Sequence, residues 1–415
     1  MTATNPAGPW SDPVWLNFDG IDPSLFFDDD GRAWMVNNGN PPDNKPLYDG
    51  HRAIWIQEFD IANRKMTGPR KIIVNGGVDL SLKPVWIEGP HLYKKDGWYY
   101  LCCAEGGTSV HHSQVILRSK SVIGPYESWD QNPILTQRDV DGTAPNAITC
   151  TGHADLEIGP DGNWWAVFLA CRPYAADTWA TGRETFLLPV TWTEDGWPQI
   201  LPPGERVPLM VPSPNRVTLQ QNPAPPLSGN FTWMDEFDTS QLSPLWIMLR
   251  APKENWWKLA DGNLWLTPRP ESLSGKSNPS FLGRRLQHAH FTASAVLQIP
   301  SAKGTSAGLV AIQDETHHLY FAVRRDEQGL TLFIEQWNGP SPQIVATHKL
   351  SHDLTSIELR LRGAGERLCF DYATRSDEWH EFAPELDSYP ISVQAAGGGI
   401  HFTGALVGLH ARVEP

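Results

Sequence analysis

Short runs in which apolar and polar residues alternate recur along the whole chain. Ala53-Ile-Trp-Ile-Gln-Glu-Phe and Gln114-Val-Ile-Leu-Arg-Ser lie in the first half. Phe291-Thr-Ala-Ser-Ala-Val-Leu-Gln-Ile, Leu319-Tyr-Phe-Ala-Val-Arg and Ser356-Ile-Glu-Leu-Arg-Leu-Arg lie in the second. A period of two is that of a half-buried β-strand. No segment keeps a convincing amphipathic-helix period, so the pattern predicts an all-β fold. A longer regularity is laid over the first half. Asp22, Glu88 and His153 each head an apolar run, an Asp-Gly pair follows by eight and nine positions, and an aromatic follows by twelve (Trp34, Tyr100, Trp165). Strand, Asp-Gly turn and aromatic-rich strand make a β-hairpin. Its recurrence at a long, nearly constant period predicts the blades of a β-propeller. Inner strands of such blades converge on one axis, so Asp22, Glu88 and His153 are expected to meet there. Two carboxylates beside an imidazole point to acid–base chemistry of the glycoside-hydrolysis kind.

Composition narrows this further. The 415 residues carry a net charge of −14, which argues against nucleic-acid and anionic-membrane partners. With 19 Trp against 9 Tyr, the chain suits sugar binding, because indole faces stack on pyranose C–H faces. The 35 Gly and 36 Pro fit a turn-rich β chain. Five cysteines lack metal-ligand spacing, and adjacent Cys102 and Cys103 must point to opposite faces of a strand. They are expected to be reduced core thiols. No leader-like segment stands at Met1-Thr-Ala-Thr-Asn-Pro, which favours a cytoplasmic location, with secretion expected only if a lost N-terminus carried a signal. The predicted organisation is a propeller over 1–210, a Pro-rich linker over 211–229, and a β-sandwich over 230–415, where the head-residue pattern is gone.

Several motifs together carry a family resemblance. They include Gly8-Pro-Trp-Ser-Asp-Pro-Val-Trp, Ile21-Asp-Pro-Ser-Leu-Phe-Phe-Asp-Asp-Asp-Gly-Arg, Glu88-Gly-Pro-His-Leu-Tyr, Gly152-His-Ala-Asp-Leu and Gly182-Arg-Glu-Thr-Phe. In the second half Asp235-Glu-Phe-Asp, Trp256-Trp257 and Phe281-Leu-Gly-Arg-Arg add to them. The chain resembles glycoside hydrolase family 43, the β-xylosidase and α-L-arabinofuranosidase group with a C-terminal, concanavalin-like β-sandwich. The resemblance implies a five-bladed propeller and an inverting, exo-acting glycosidase on xylo-oligosaccharides or arabinoxylan fragments. It implies that Glu88 is the general acid and that Asp22 orients it and keeps its pKa up. It implies that Arg183 and His153 bind the sugar, that Phe402 is a counterpart of a rim aromatic, and that His153 stands where a water-coordinated, structural Ca²⁺ can sit. No cofactor is required.

One departure bears on mechanism. Inversion needs a second carboxylate as general base. In the family that base lies on a first blade well before the Asp-Pro-Ser motif, and here the motif begins at residue 22. The first blade is therefore expected to be largely missing, and Asp12 and Asp19 fall in segments that match an inter-blade connection. The C-terminal end also reads as short of a further strand. Three readings stay open: a truncated, impaired enzyme; a short form completed by a neighbouring subunit, hence a homo-oligomer; or a relative that binds sugar without cleaving it.

Overall fold

A computed structural model describes residues 1–214, 229–397 and 402–414. Contacts divide the chain into two units, one of Met1–Cys171 with Glu184–Val217 and one of Arg172–Arg183 with Thr218–Pro415. Both are built of β-sheets. The Pro-rich stretch read as a linker lies largely outside the described residues.

In the first unit, β1 (Ile21–Phe27), β2 (Ala33–Gly39), β3 (Ala53–Asp60) and β4 (Lys65–Asn75) form one antiparallel sheet in chain order. A second contains β5 (Glu88–Lys95), β6 (Trp98–Glu105), β7 (Ser113–Ser119) and β8 (Glu127–Ser128), with β9 (Leu135–Thr136) also on β7. A third contains β10 (Thr149–Ile158), β11 (Trp164–Cys171) and β12 (Glu184–Pro189), followed by a small pair, β13 (Thr191–Trp192) and β14 (Pro198–Gln199). Strand alternation lets the second sheet serve two cores. Leu101, Cys103, Val115 and Leu117 pack with Trp34, Val36, Ile54 and Ile56 of the first sheet. Tyr100, Cys102 and Ile116 pack with Ala154, Leu156, Ala166 and Phe168 of the third. Cys102 and Cys103 thus face opposite ways, and all five cysteines are buried and unbridged. Burial pushes the Cys102 thiol up to about 12, so it stays protonated and behaves as a small apolar group.

The second unit is a sandwich. A small hairpin, β15 (Trp257–Ala260) and β16 (Asn263–Leu266), comes first. The remaining strands are β17 (Phe281–Arg285), β18 (His290–Gln298), β19 (Thr305–Asp314), β20 (His317–Asp326), β21 (Gly329–Asn338), β22 (Pro342–Leu350), β23 (Ser356–Ala364), β24 (Arg367–Ala373), β25 (Trp379–Glu381), β26 (Leu386–Asp387) and β27 (Leu406–Val413). One sheet has the order β17-β27-β19-β20-β21-β22 and the other β18-β23-β24-β25, with β26 on β24. Phe321, Val323, Leu332 and Ile334 of the first meet Leu359, Leu361, Leu368 and Phe370 of the second. The six-stranded sheet is apolar on its other face too. There Val310, Tyr320, Phe333 and Phe281 pack with Leu273, Ile247 and Leu249 from the segment before β17. A strand buried on both faces reads as a continuous apolar run, which is the texture of Leu319-Tyr-Phe-Ala-Val.

Candidate active site

The three hairpins singled out by the repeat are β1–β2, β5–β6 and β10–β11. The first strand of each hairpin carries a β-bulge toward its start. Opposite β2 the register moves from Ile21↔Asn38 to Ser24↔Val36; opposite β6 it moves from Glu88↔Ala104 to His91↔Cys102; opposite β11 it moves from Gly152↔Leu169 to Asp155↔Val167. The bulge residues with left-handed backbone are Asp22 (φ 50°), Gly89 (φ 55°) and His153 (φ 55°). Asp and His are among the few side chains that enter this region with modest strain.

This corrects the register expected from spacing. The aromatics Trp34, Tyr100 and Trp165 are equivalent, since they pair with Phe26, Tyr93 and Glu157 at the same distance past each bulge. The middle hairpin turns on Asp96-Gly97 between the paired Lys95 and Trp98, and it is tighter than the other two. Its shortness slides the spacing by one residue. Gly89, not Glu88, is the counterpart of Asp22 and His153, and Glu88 stands where Ile21 and Gly152 do.

The bulges bring Asp22 and His153 together and set the residue after Glu88 against Asp22. Asp22 Oδ2 accepts the Gly89 N–H at 3.2 Å and lies 3.7 Å from His153 Nε2. Glu88, one residue before Gly89, is half-buried, as are Asp22 and His153. A Cβ at position 89 would lie 2.6 Å from Cε1 of His153, so the imidazole occupies the space a side chain would need. Gly89→Ala is therefore expected to lower stability by about 1–3 kcal/mol through backbone strain and displacement of His153. Urea unfolding measures this, and an unchanged midpoint would count against the packing described.

A cavity of about 350 Å³ opens along the same strands, lined by Ser24, His91, Tyr93, Asp155, Glu157 and Trp164 among others, and not by the three heads themselves. Tyr93 donates to Asp155 Oδ1 at 2.5 Å and accepts the Leu156 N–H at 2.8 Å, stitching β5 to β10. Burial raises the Tyr93 pKa, with Cys102 and then Asp155 adding to it, so the phenol remains a donor. Burial lowers the His91 pKa, although Asp155 Oδ1 lies 3.4 Å from its Nδ1. At the far end of β1–β5, buried Asp28 accepts from Lys94 at 2.5 Å and Tyr99 at 2.7 Å. Burial pushes that carboxyl up, and these bonds outweigh it and hold it below its usual value.

Arg183 and Phe402 are brought together within the second unit. The guanidinium carbon lies 3.8 Å from the Phe402 ring centroid, and the Arg183 N–H donates to the Phe402 carbonyl at 3.0 Å. Gly182 and Gly404 permit the approach, because a Cβ on Gly182 would lie 2.3 Å from Gly404 N. Asp19 stays outside the head cluster: its carboxylate is fully exposed, 3.9 Å from Arg70. Among the described residues no three His, Cys, Asp or Glu side chains converge as a metal cage.

The family model described as Glycosyl hydrolases family 43 matches residues 1–198, and that of the Beta xylosidase C-terminal Concanavalin A-like domain matches residues 234–414. A xylosidase/arabinosidase of Butyrivibrio fibrisolvens is 37% identical over 421 residues, covering 99% of this chain and 77% of that protein. The chain belongs to glycosyl hydrolases family 43. Solved structures agree with this family 43 assignment. A family 43 enzyme retrieved from a capybara gut metagenome superposes with a TM-score of 0.85 at 38% identity, covering 99% of this chain and 76% of that one. The xylan beta-1,4-xylosidase of Bacillus halodurans C-125 gives 0.81 at 34% identity, covering 99% and 76%. Sequence reasoning singled out the three heads but missed Gly89, Ser24 and the Tyr93–Asp155 pair. Only the Gly-Pro step after Glu88 hinted at a special backbone there.

Proposed function

We propose that this family 43 glycosidase is exo-acting and inverting, and that it cleaves β-xylosidic or α-L-arabinofuranosidic bonds in xylan-derived oligosaccharides. The observation that carries the reading is the meeting of Asp22, His153 and the Glu88-Gly89 step at three equivalent bulges. The relatives' names, xylosidase/arabinosidase and xylan beta-1,4-xylosidase, supply the substrate class. Glu88 protonates the leaving oxygen. Asp22 anchors the Gly89 amide and places a negative charge near Glu88, which favours the protonated acid. His153 borders the sugar from β10, and Arg183 with Phe402 form a sugar-binding pair of cation and aromatic face. A water-held Ca²⁺ beside His153 is structural in this reading, and no proton transfer runs through it.

The three sheets are read as blades of a five-bladed propeller. The exposed apolar side chains Ile21, Leu25 and Phe27 on one face of β1 support an open blade face. A second reading, a relative that binds sugar without turnover, is favoured by Asp19, whose carboxylate is fully exposed beside Arg70.

The test is ¹H NMR of a p-nitrophenyl β-D-xylopyranoside digest, in which all released xylose carries the newly formed anomeric centre. The enzyme reading expects α-xylose to appear before mutarotation. First appearance of β-xylose overturns inversion, and measurable xylobiose affinity without any product favours the second reading.

A further inference from the structure

The bulge that carries Glu88 places Gly89 and Pro90 outside the β5–β6 register. Their polar groups are taken up by β1 instead. The Gly89 N–H goes to Asp22, and the carbonyl of buried Pro90 accepts the Ser24 hydroxyl at 2.7 Å. Proline has no N–H, so this carbonyl is the only backbone polar group Pro90 has to anchor. Ser24 stands at the first paired position after its own bulge, as His91 and Asp155 do on β5 and β10. We propose that Ser24 is a positioning residue for the acid: its hydroxyl holds the Pro90 carbonyl and so fixes the bulge that aims Glu88 at the leaving oxygen.

The physical reason is local. Without the hydroxyl a buried carbonyl loses its donor. The adjoining cavity, which Ser24 lines, offers water as a replacement. The Pro90 peptide then moves toward that water, and Glu88, two residues away, moves with it. Misplacement of a reacting group by about 1 Å costs up to about 100-fold in rate. The clamp at the other end of these strands, Asp28 with Lys94 and Tyr99, holds β1 on β5 but lies at the hairpin turn. It supplies a comparison in which the strands loosen and the bulge does not.

The inference rests on Glu88 being the acid, and its test has a readout that needs no turnover. The ¹³C-carboxyl titration of Glu88, assigned with Glu88→Gln, is followed in the wild-type chain, Ser24→Ala, Ser24→Thr and Asp28→Asn. Titratable groups on the strands that flank the Glu88–Gly89 step are Asp22 on β1, His153 on β10, His91 on β5 and Glu105 on β6, one residue past the ladder partner Ala104. Ser24→Ala should move the Glu88 midpoint by about half a unit or more as its distance from Asp22 changes. On p-nitrophenyl β-D-xylopyranoside it should lower kcat by about 10-fold with KM within about twofold. Ser24→Thr keeps the hydroxyl and should behave as wild type in both. Asp28→Asn should lower the melting temperature and leave the Glu88 midpoint in place. A Glu88 midpoint that Ser24→Ala does not move, or that Ser24→Thr moves as far, overturns the inference. A wild-type chain without turnover defeats the enzymatic reading, and the titration still decides on Ser24.

Discussion

Glu88→Gln is expected to reduce hydrolysis of xylobiose by about 10³-fold or more, and to reduce hydrolysis of p-nitrophenyl β-D-xylopyranoside much less. A sugar alkoxide cannot leave without a proton, whereas nitrophenolate is stable enough to leave nearly unaided. The ratio of the two losses therefore reports the acid role and not general damage. Gln keeps the shape of the side chain and the bulge behind it, so folding should be unaffected. The alkaline limb of the kcat/KM profile, where the acid loses its proton, should vanish for the aryl substrate. Equal losses on both substrates would contradict the assignment of Glu88. Asp22→Asn should shift that limb to lower pH, because it removes a nearby negative charge while the Gly89 N–H keeps an acceptor.

The second large effect concerns the sandwich. His318 and His410 are both about 1% exposed. Burial lowers the His318 pKa from 6.5 to about 4. Burial likewise lowers that of His410 from 6.5 to about 3, with Arg412 and His318 adding to the effect. His410 Nδ1 lies 3.0 Å from the Ser280 carbonyl, to which it donates, and its Nε2 has no hydrogen-bond partner among the described residues. A second proton would sit unpaired beside Arg412, which already spends its guanidinium on Glu335 at 2.7 and 2.8 Å. Both rings bind protons more readily unfolded than folded. Stability is thus complete above pH 6.5 and falls as pH drops through the folded values. By pH 4 His410 alone should account for a loss of about 3 kcal/mol. Asp371 and Glu335 are held below their usual carboxylate values by arginine partners despite burial, so they release their share of stability later in the descent. Calorimetry between pH 7 and 4.5 should show a steep fall in the second unit's transition. His410→Gln retains a donor for Ser280, cannot charge, and should flatten that fall. An identical pH slope in the variant would refute the account.

Much of this protein was legible in its sequence. Period-two alternation specified the strands, since a strand with one face on a core must repeat every second residue. The opposite faces of Cys102 and Cys103 followed from the same rule. The recurrence of head, turn and aromatic identified three hairpins and, among their heads, Asp22 and His153, which lie side by side. Tertiary structure decided the rest. The one-residue slip that makes Gly89 the partner of Asp22 and His153 arises because the Asp96-Gly97 hairpin is tighter, and spacing alone cannot tell a shorter turn from a shifted strand. The left-handed backbone at Asp22 and His153 is likewise a product of pairing, since the bulge exists only against β2 and β11. Segment 172–183 joins the second unit because Gly182 and Gly404 let two backbones touch far apart in the chain. Local pattern encodes which residues face a core; which backbones come close enough to share hydrogen bonds is settled only when the sheets pack.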